Sequence, residues 1–212
     1  MSQVPLNHFD RHKPFYPLVI NYVSQLIGYK ELAVRGVIGP RSVDDALAAV
    51  TTIGTPSSQF EADRAAFRKD LAKIVGPLQL RSEFLSSTIA VDIDEIAREV
   101  AREHNYLAEH MLNAAGVVFV LAHEESKTKT WHDQGPLWEF LRHCRNAAGH
   151  GGRFNLLNGE PRRAAQWGPF QIAPSMKGTF LFKRPSAGGL LSVGDPIRLL
   201  WDIEQTYPAM TV

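Results

Sequence analysis

Cysteine is nearly absent from this chain. Cys144 is its single example, so no intrachain disulfide can form and a reducing, cytoplasmic compartment is expected. Long hydrophobic runs are missing too. The longest strongly apolar stretch, Ala114 to Ala122, has Gly116 inside it and is far too short to span a bilayer. Met1 to Asp10 lack the apolar centre of a signal peptide, so no membrane partner is expected. A formal net charge of +1 leaves little excess of either sign, which argues against indiscriminate coating of nucleic acid. The sequence has no glycine-rich phosphate loop with its lysine and no serine-centred nucleophile elbow. His123, Glu124 and Glu125 lack metal-ligand spacing, and His132-Asp133 adds only a polar loop. Neither a metal nor a cofactor is expected.

The hydrophobic fraction of 44% and charged fraction of 21% are those of an ordinary globular protein, and 212 residues suffice to bury a sizeable core. Charge is distributed unevenly. From Leu141 to Arg184 the basic residues are Arg142, Arg145, Arg153, Arg162, Arg163, Lys177, Lys183 and Arg184, against the single acid Glu160. Such a segment suits an anionic ligand as well as it suits a solvated basic loop.

Most of the periodicity is helical. Pro17 to Glu31 carries an apolar stripe of Val19, Tyr22, Val23, Leu26 and Ile27. Shorter helices are expected over Arg41 to Val50 and Gln59 to Val75, with a loop from Thr51 to Ser58 between them. Pro77 to Ala90 reads as loop with a helical turn. Asp92, with Glu95 three residues on, opens a long helix reaching about Glu125 and bending near Gly116. Gly135-Pro136 opens the next, whose core stripe is Leu137, Phe140, Leu141, Cys144 and Ala148 and which ends around Gly149 to Gly152. Phe170 to Ile172 and Thr179 to Phe182 read as short strands, and Leu190 to Val193 as the return strand of a hairpin. Asp195-Pro196 caps a final helix. The fold class expected is mainly α: a helical bundle over 1–153, with a small C-terminal β-hairpin and terminal helix over 154–212 packed on it.

The chemistry concentrates at Arg145-Asn146-Ala147-Ala148-Gly149-His150, where a helix runs into Gly151-Gly152-Arg153-Phe154. Arginine offers a permanently charged planar fork for phosphate oxygens, and histidine titrates near neutral pH. The glycines leave little bulk around the imidazole and let the helix end there, freeing His150 to swing back toward Arg145. Asn146, one helical turn before His150, is placed to fix its ring. Arg142 and Arg153 are the candidate substrate-binding cations. A second Arg–His pair, Arg98 with His104, lies within the expected long helix, where a six-residue step separates the side chains by about 240°. Cys144 falls on the apolar stripe as an inert thiol. The same residues also admit a bland reading, in which Arg142 and Arg145 offset the negative helix C-terminus and His150 contributes to its cap.

Arg145 to His150 resembles the Arg-polar-spacer-His motif of HEPN domains (higher eukaryotes and prokaryotes nucleotide-binding). Gly151 to Asn155 extends the likeness to a bacterial, often plasmid-borne, subgroup. The specific resemblance covers Leu137 to Phe154. It implies a helical bundle and a metal-independent endoribonuclease of toxin–antitoxin, phage-defence or RNA-processing systems. Arg145 and His150 become its catalytic pair and Asn146 the intervening polar residue. It further implies an RNA substrate, a homodimer with a composite active site and, for a toxin, an antitoxin protein as partner. The alternative is a non-catalytic bundle of the same type that binds nucleotide, RNA or a protein partner.

Overall fold

The computed structural model describes residues 11–38, 78–83, 87–184 and 186–210. The helices expected over Arg41 to Val50 and Gln59 to Val75, with the loop between them, lie outside the described residues. The fold is mainly helical. Its elements are α1 (Tyr16–Ile38), β1 (Leu78–Ser82), β2 (Ser87–Val91), α2 (Ile93–Arg102), α3 (His104–Ser126), α4 (Pro136–Gly149), β3 (Gln166–Trp167), β4 (Phe170–Gln171) and α5 (Asp195–Thr206). The chain divides into two compact units, one running from Gly28 to Leu107 and the other made of the residues before and after it. Among the described residues no helix is long and apolar enough to cross a membrane.

Within the Gly28–Leu107 unit, two expectations are corrected. Pro77 to Ala90 is not a loop with a helical turn, because Leu78–Ser82 pairs antiparallel with Ser87–Val91. Leu78 lies opposite Val91 and Leu80 opposite Ile89, putting the large aliphatic residues on one face. That is the two-residue period of a strand. The long helix is also interrupted. Asp92 caps α2 as expected, its carboxylate accepting the N–H groups of Asp94 at 2.9 Å and Glu95 at 3.1 Å. These bonds, that of Glu95 first, hold the Asp92 carboxyl below its usual range. But α2 ends at Arg102, because Glu103 leaves the helical region at φ −107°, ψ 85°. The break therefore falls at Glu103 and not near Gly116, and it places Arg98 and His104 on different helices. The Arg35 guanidinium of α1 pairs with Asp94 of α2. Helix α1 outruns its expected end at Glu31, reaching Ile38.

The core of the other unit lies between α3, α4 and α5. Helix α3 buries Leu112, Ala115, Phe119 and Ala122 at three- and four-residue steps. Helix α4 buries Trp138, Phe140, Leu141, Cys144 and Ala147, while Leu137 and Ala148 of its expected stripe are only half-buried. The buried face is wider than the expected stripe, with Trp138 added on one side, in ring contact with His132 and Tyr207 at 4.5 and 5.3 Å, and Ala147 on the other. Burial pushes the Cys144 thiol well above its ordinary pKa, as an inert core cysteine requires. Helix α5 adds Leu199, Leu200 and Ile203. Its N-cap is Gly194 and not Asp195, whose carboxylate accepts the N–H of Ser192 at 2.6 Å instead.

The C-terminal β structure is smaller than expected and sits elsewhere. Phe170–Gln171 pairs with Gln166–Trp167 as a two-stranded antiparallel sheet. Thr179 to Phe182 and Leu190 to Val193 do not form a ladder; they are joined through one isolated bridge, Phe182 to Leu191, and through the Leu190 and Leu191 N–H groups donating to Phe180 O and Leu181 O. Gly189 explains the irregularity. Its backbone lies against Phe182, where a Cβ would meet the carbonyl oxygen at 2.2 Å, so the returning chain crosses rather than runs alongside.

Among the described residues the buried polar side chains are Ser126, Glu139, His143 and Glu204. His143, 1% exposed, accepts a hydrogen bond at Nε2 from Arg142 at 2.9 Å. Burial, then the Arg142 charge, lowers its pKa. The unfolded chain therefore binds a proton more readily than the native one. Stability is complete above the ordinary histidine value of about 6.5 and declines as pH falls below it. Half-buried His123 acts in the same direction. Thermal unfolding followed between about pH 7 and pH 5 should show Tm falling by roughly 2–4 °C per kcal/mol lost. His143→Gln should flatten that slope, and an unchanged slope would remove His143 as its source.

Candidate functional site

Helix α4 carries the candidate residues, and both its ends are fixed by local chemistry. Gly135 is its N-cap, Pro136 occupies the first turn, and the Glu139 N–H donates to the Gly135 carbonyl at 2.9 Å. Asp133 holds the approach by accepting from the Gly135 N–H at 2.7 Å and from the Tyr207 hydroxyl at 2.9 Å. At the other end His150 is the C-cap, and Gly151 and Gly152 follow with φ of +67° and +72°. Only glycine adopts two successive left-handed conformations without strain, so these residues turn the chain sharply away from the helix axis. The departing strand is then held in place. Leu181 N–H donates to Gly152 O at 2.8 Å, Phe154 N–H to Thr179 O at 3.0 Å, and Phe154 itself is buried.

The turn lets the imidazole fold back onto its own helix, where its hydrogen-bond partner is Asn146 and not Arg145. His150 Nδ1 lies 2.6 Å from the backbone carbonyl of Asn146, one helical turn earlier, and the side chain is exposed. A carbonyl only accepts, so Nδ1 carries the proton and Nε2 of the neutral ring is left as an acceptor. Asn146 thus fixes the ring, but through its backbone. Its side chain serves Arg145 instead, with Oδ1 accepting from Nη1 at 3.2 Å. A single residue orients both the imidazole and the guanidinium.

Arg145 has a second partner. Its Nη2 donates to Glu124 Oε1 on α3 at 3.0 Å, an ion pair with both side chains 37% exposed. Glu124 also accepts from Lys127 Nζ. The Lys127 bond first, then the Arg145 bond, holds the Glu124 carboxyl at about 2, so it is ionised at any neutral pH. His123 adjoins the pair, its Nδ1 3.7 Å from Glu124 Oε1. Burial and then the Arg145 charge lower the His123 pKa, keeping that ring neutral.

The two candidate binding cations stand apart from this arrangement. Arg142 is enclosed by acids, with Nη2 3.0 Å from Glu139 and Nη1 3.2 Å from Glu160, and its guanidinium also donates to His143. It supports the fold around α4 instead of facing solvent alone. Arg153 lies with its guanidinium 3.5 Å from the centre of the Phe180 ring and donates to Gly178 O at 2.7 Å. Carboxylates from outside the basic segment also reach into it: Glu109 of α3 pairs with Arg184, and Glu139 stands 3.7 Å from Arg163. Four of the eight basic residues of the segment, Arg142, Arg145, Arg163 and Arg184, are thus offset in space by carboxylates.

Sequence reading overlooked Glu124 and Glu109 as partners of Arg145 and Arg184. Glu124 precedes Arg145 by 21 residues, a separation that no local pattern encodes. The Arg184 guanidinium also covers Phe180 at 4.5 Å, so that ring lies against two arginines. Among the described residues no group of three or more His, Cys, Asp or Glu side chains is placed to hold a metal ion. No protein-family model, no curated protein and no solved structure matches this chain.

Proposed function

We propose that this protein is a metal-independent endoribonuclease of the HEPN type, acting in the cytoplasm as a toxin or phage-defence effector. The observation that carries the reading is the pairing at Asn146. Its carbonyl takes the His150 Nδ1 proton and leaves Nε2 free to exchange one, while its amide oxygen holds the Arg145 guanidinium. His150 Nε2 accepts the proton of a substrate 2′-hydroxyl. The 2′-oxygen bonds to the adjacent phosphorus as the P–O5′ bond breaks, leaving a 2′,3′-cyclic phosphate. The remaining Nη N–H groups of Arg145, its Nε being buried, face the charge that builds on the phosphate oxygens. The departing 5′-oxygen needs a proton of its own. A symmetric dimer, with α4 near the two-fold axis, supplies it from a second copy of the imidazole that enters the reaction protonated at Nε2 and leaves it neutral.

RNA incubated with the purified protein in excess chelator should be cut and should carry 2′,3′-cyclic ends. A substrate with 2′-deoxyribose at the cut position should resist. Cleavage of the deoxy substrate would discard the mechanism, because its nucleophile would be missing. Light scattering should give the mass of two chains.

A second reading rests on the charges around the site. Arg145 and Arg142 are both engaged by carboxylates, which suits a HEPN-like bundle that binds nucleotide, RNA or a protein partner without cutting. Tight RNA binding with no cyclic product would favour it.

A further inference from the structure

Beside the His150 turn lies a groove of about 370 Å³, bounded by α3, by Gly151-Gly152 and by the Phe182–Arg184 segment. We infer that this groove seats a nucleobase of a single-stranded RNA, the base next to the scissile bond. The inference rests on the ribonuclease reading for the identity of the strand. The groove stands on its own geometry.

Its volume is at the small end of the range for small-molecule sites, about 300–1,000 Å³, which suits one flat ring rather than a peptide segment. The floor is apolar, formed by Val117, Val120 and Phe182 with Gly116 between. Val117 is 48% exposed, as is Leu121 one turn further on the same helix at 46%. Phe182 is held from behind by Phe119, the two rings parallel within 8° at 5.9 Å. Such a floor offers a ring the dispersion contact it loses on leaving a base stack.

The rim is polar and fixed. Arg184 lines the groove, with its guanidinium laid on the Phe180 ring and its edge paired with Glu109. A guanidinium clamped between an aromatic face and a carboxylate is a rigid planar cation, a surface on which bases stack. Glu109 accepts from base N–H groups, and Asn113 both donates and accepts. Gly152 closes the groove without a side chain. Even a Cβ built on it would stop 3.9 Å from Arg184 Nη2, so the backbone itself forms the wall.

Position joins the groove to the chemistry. Its wall begins at Gly151, the residue after His150, one Cα step of about 3.8 Å along the chain. On this inference the sugar and phosphate of a seated base lie toward the His150 turn, whose imidazole is not itself part of the groove lining. The exposed cation Arg153, on the outer side of Phe180, lies where the continuing strand would pass.

The test uses the full-length protein and a short single-stranded oligoribonucleotide, 2′-O-methylated throughout so that it cannot be cut, with binding read by fluorescence anisotropy. Val117→Trp fills the groove from an exposed position and should weaken binding by about tenfold or more, in line with the loss of one stacked base. Asn113→Ala should weaken it by about threefold, a second variant should Val117→Trp fail to fold by circular dichroism. An oligonucleotide abasic at every position should bind the wild type about tenfold more weakly and be indifferent to both changes. Binding unaffected by both groove variants, or abasic binding as tight as that of intact RNA, overturns the inference. Cleavage of unmodified RNA is measured separately. Groove-dependent binding without any cleavage would remove the ribonuclease and leave the groove standing.

Discussion

Replacing His150 by alanine is expected to lower RNA cleavage by about 10²- to 10⁴-fold, the usual contribution of a positioned acid or base. Stability should move by no more than about 0.5 kcal/mol, as for an exposed residue away from the core. The side chain is exposed, and its one fixed bond returns to the carbonyl of Asn146 in its own helix. The backbone N–H that closes the helix on Ala147 O belongs to any residue at that position, so alanine keeps it. Loss of activity with an unchanged melting curve therefore separates chemistry from folding. Gel-resolved cleavage rates, beside melting curves for both proteins, check this. Undiminished cleavage by His150→Ala would end the assignment.

What could be read from the residues follows the range of the interactions involved. Helix α4 was legible from Pro136 to Gly149 because its start, its period and its glycine stop are all local signals. The Asp92 cap was legible for the same reason, its partners lying two and three residues away. The β1–β2 hairpin carried a readable two-residue alternation in Leu78, Leu80, Ile89 and Val91. It was obscured because all but Val91 are exposed and no strongly apolar strand announces itself. The break at Glu103 had no proline or glycine to mark it. At the site, the return of His150 onto Asn146 followed from helix geometry and the glycines after it. The pairing of Arg145 with Glu124, and of Arg184 with Glu109, followed from nothing local. Each joins α3 to a later segment, and only tertiary packing brings them together. That is why a segment with one acid among its many bases overstated the positive field of the folded surface.

The Glu124 pairing makes the second large effect specific to this fold. Arg145→Ala should lower cleavage by about 10²- to 10³-fold, the loss seen when one donor to a developing oxyanion is removed. Arg145→Lys should recover only part of that. An ammonium cannot reach the Asn146 oxygen, the Glu124 carboxylate and a phosphate from one planar group, so the cation would be present but not aimed. Glu124 is expected to act in the opposite direction on binding. Its carboxyl is held at about 2, by Lys127 first and Arg145 second. With a depressed folded value, its charged pairing is complete above the ordinary carboxylate range and is lost only as pH falls toward 2. No assay near neutrality discharges it, and a phosphate approaching Arg145 always meets this fixed negative charge. Glu124→Gln keeps the shape and the acceptor oxygen while removing the charge. RNA should then bind several-fold more tightly at low salt, with the gain shrinking as ionic strength rises and screening sets in. Steady-state cleavage separates the two roles: Arg145→Ala should act on kcat, Glu124→Gln on KM. Arg145→Ala cleaving at the wild-type rate would show that the guanidinium does no work in the transition state. The Arg145–Glu124 pair would then be a bond between α3 and α4 and nothing more.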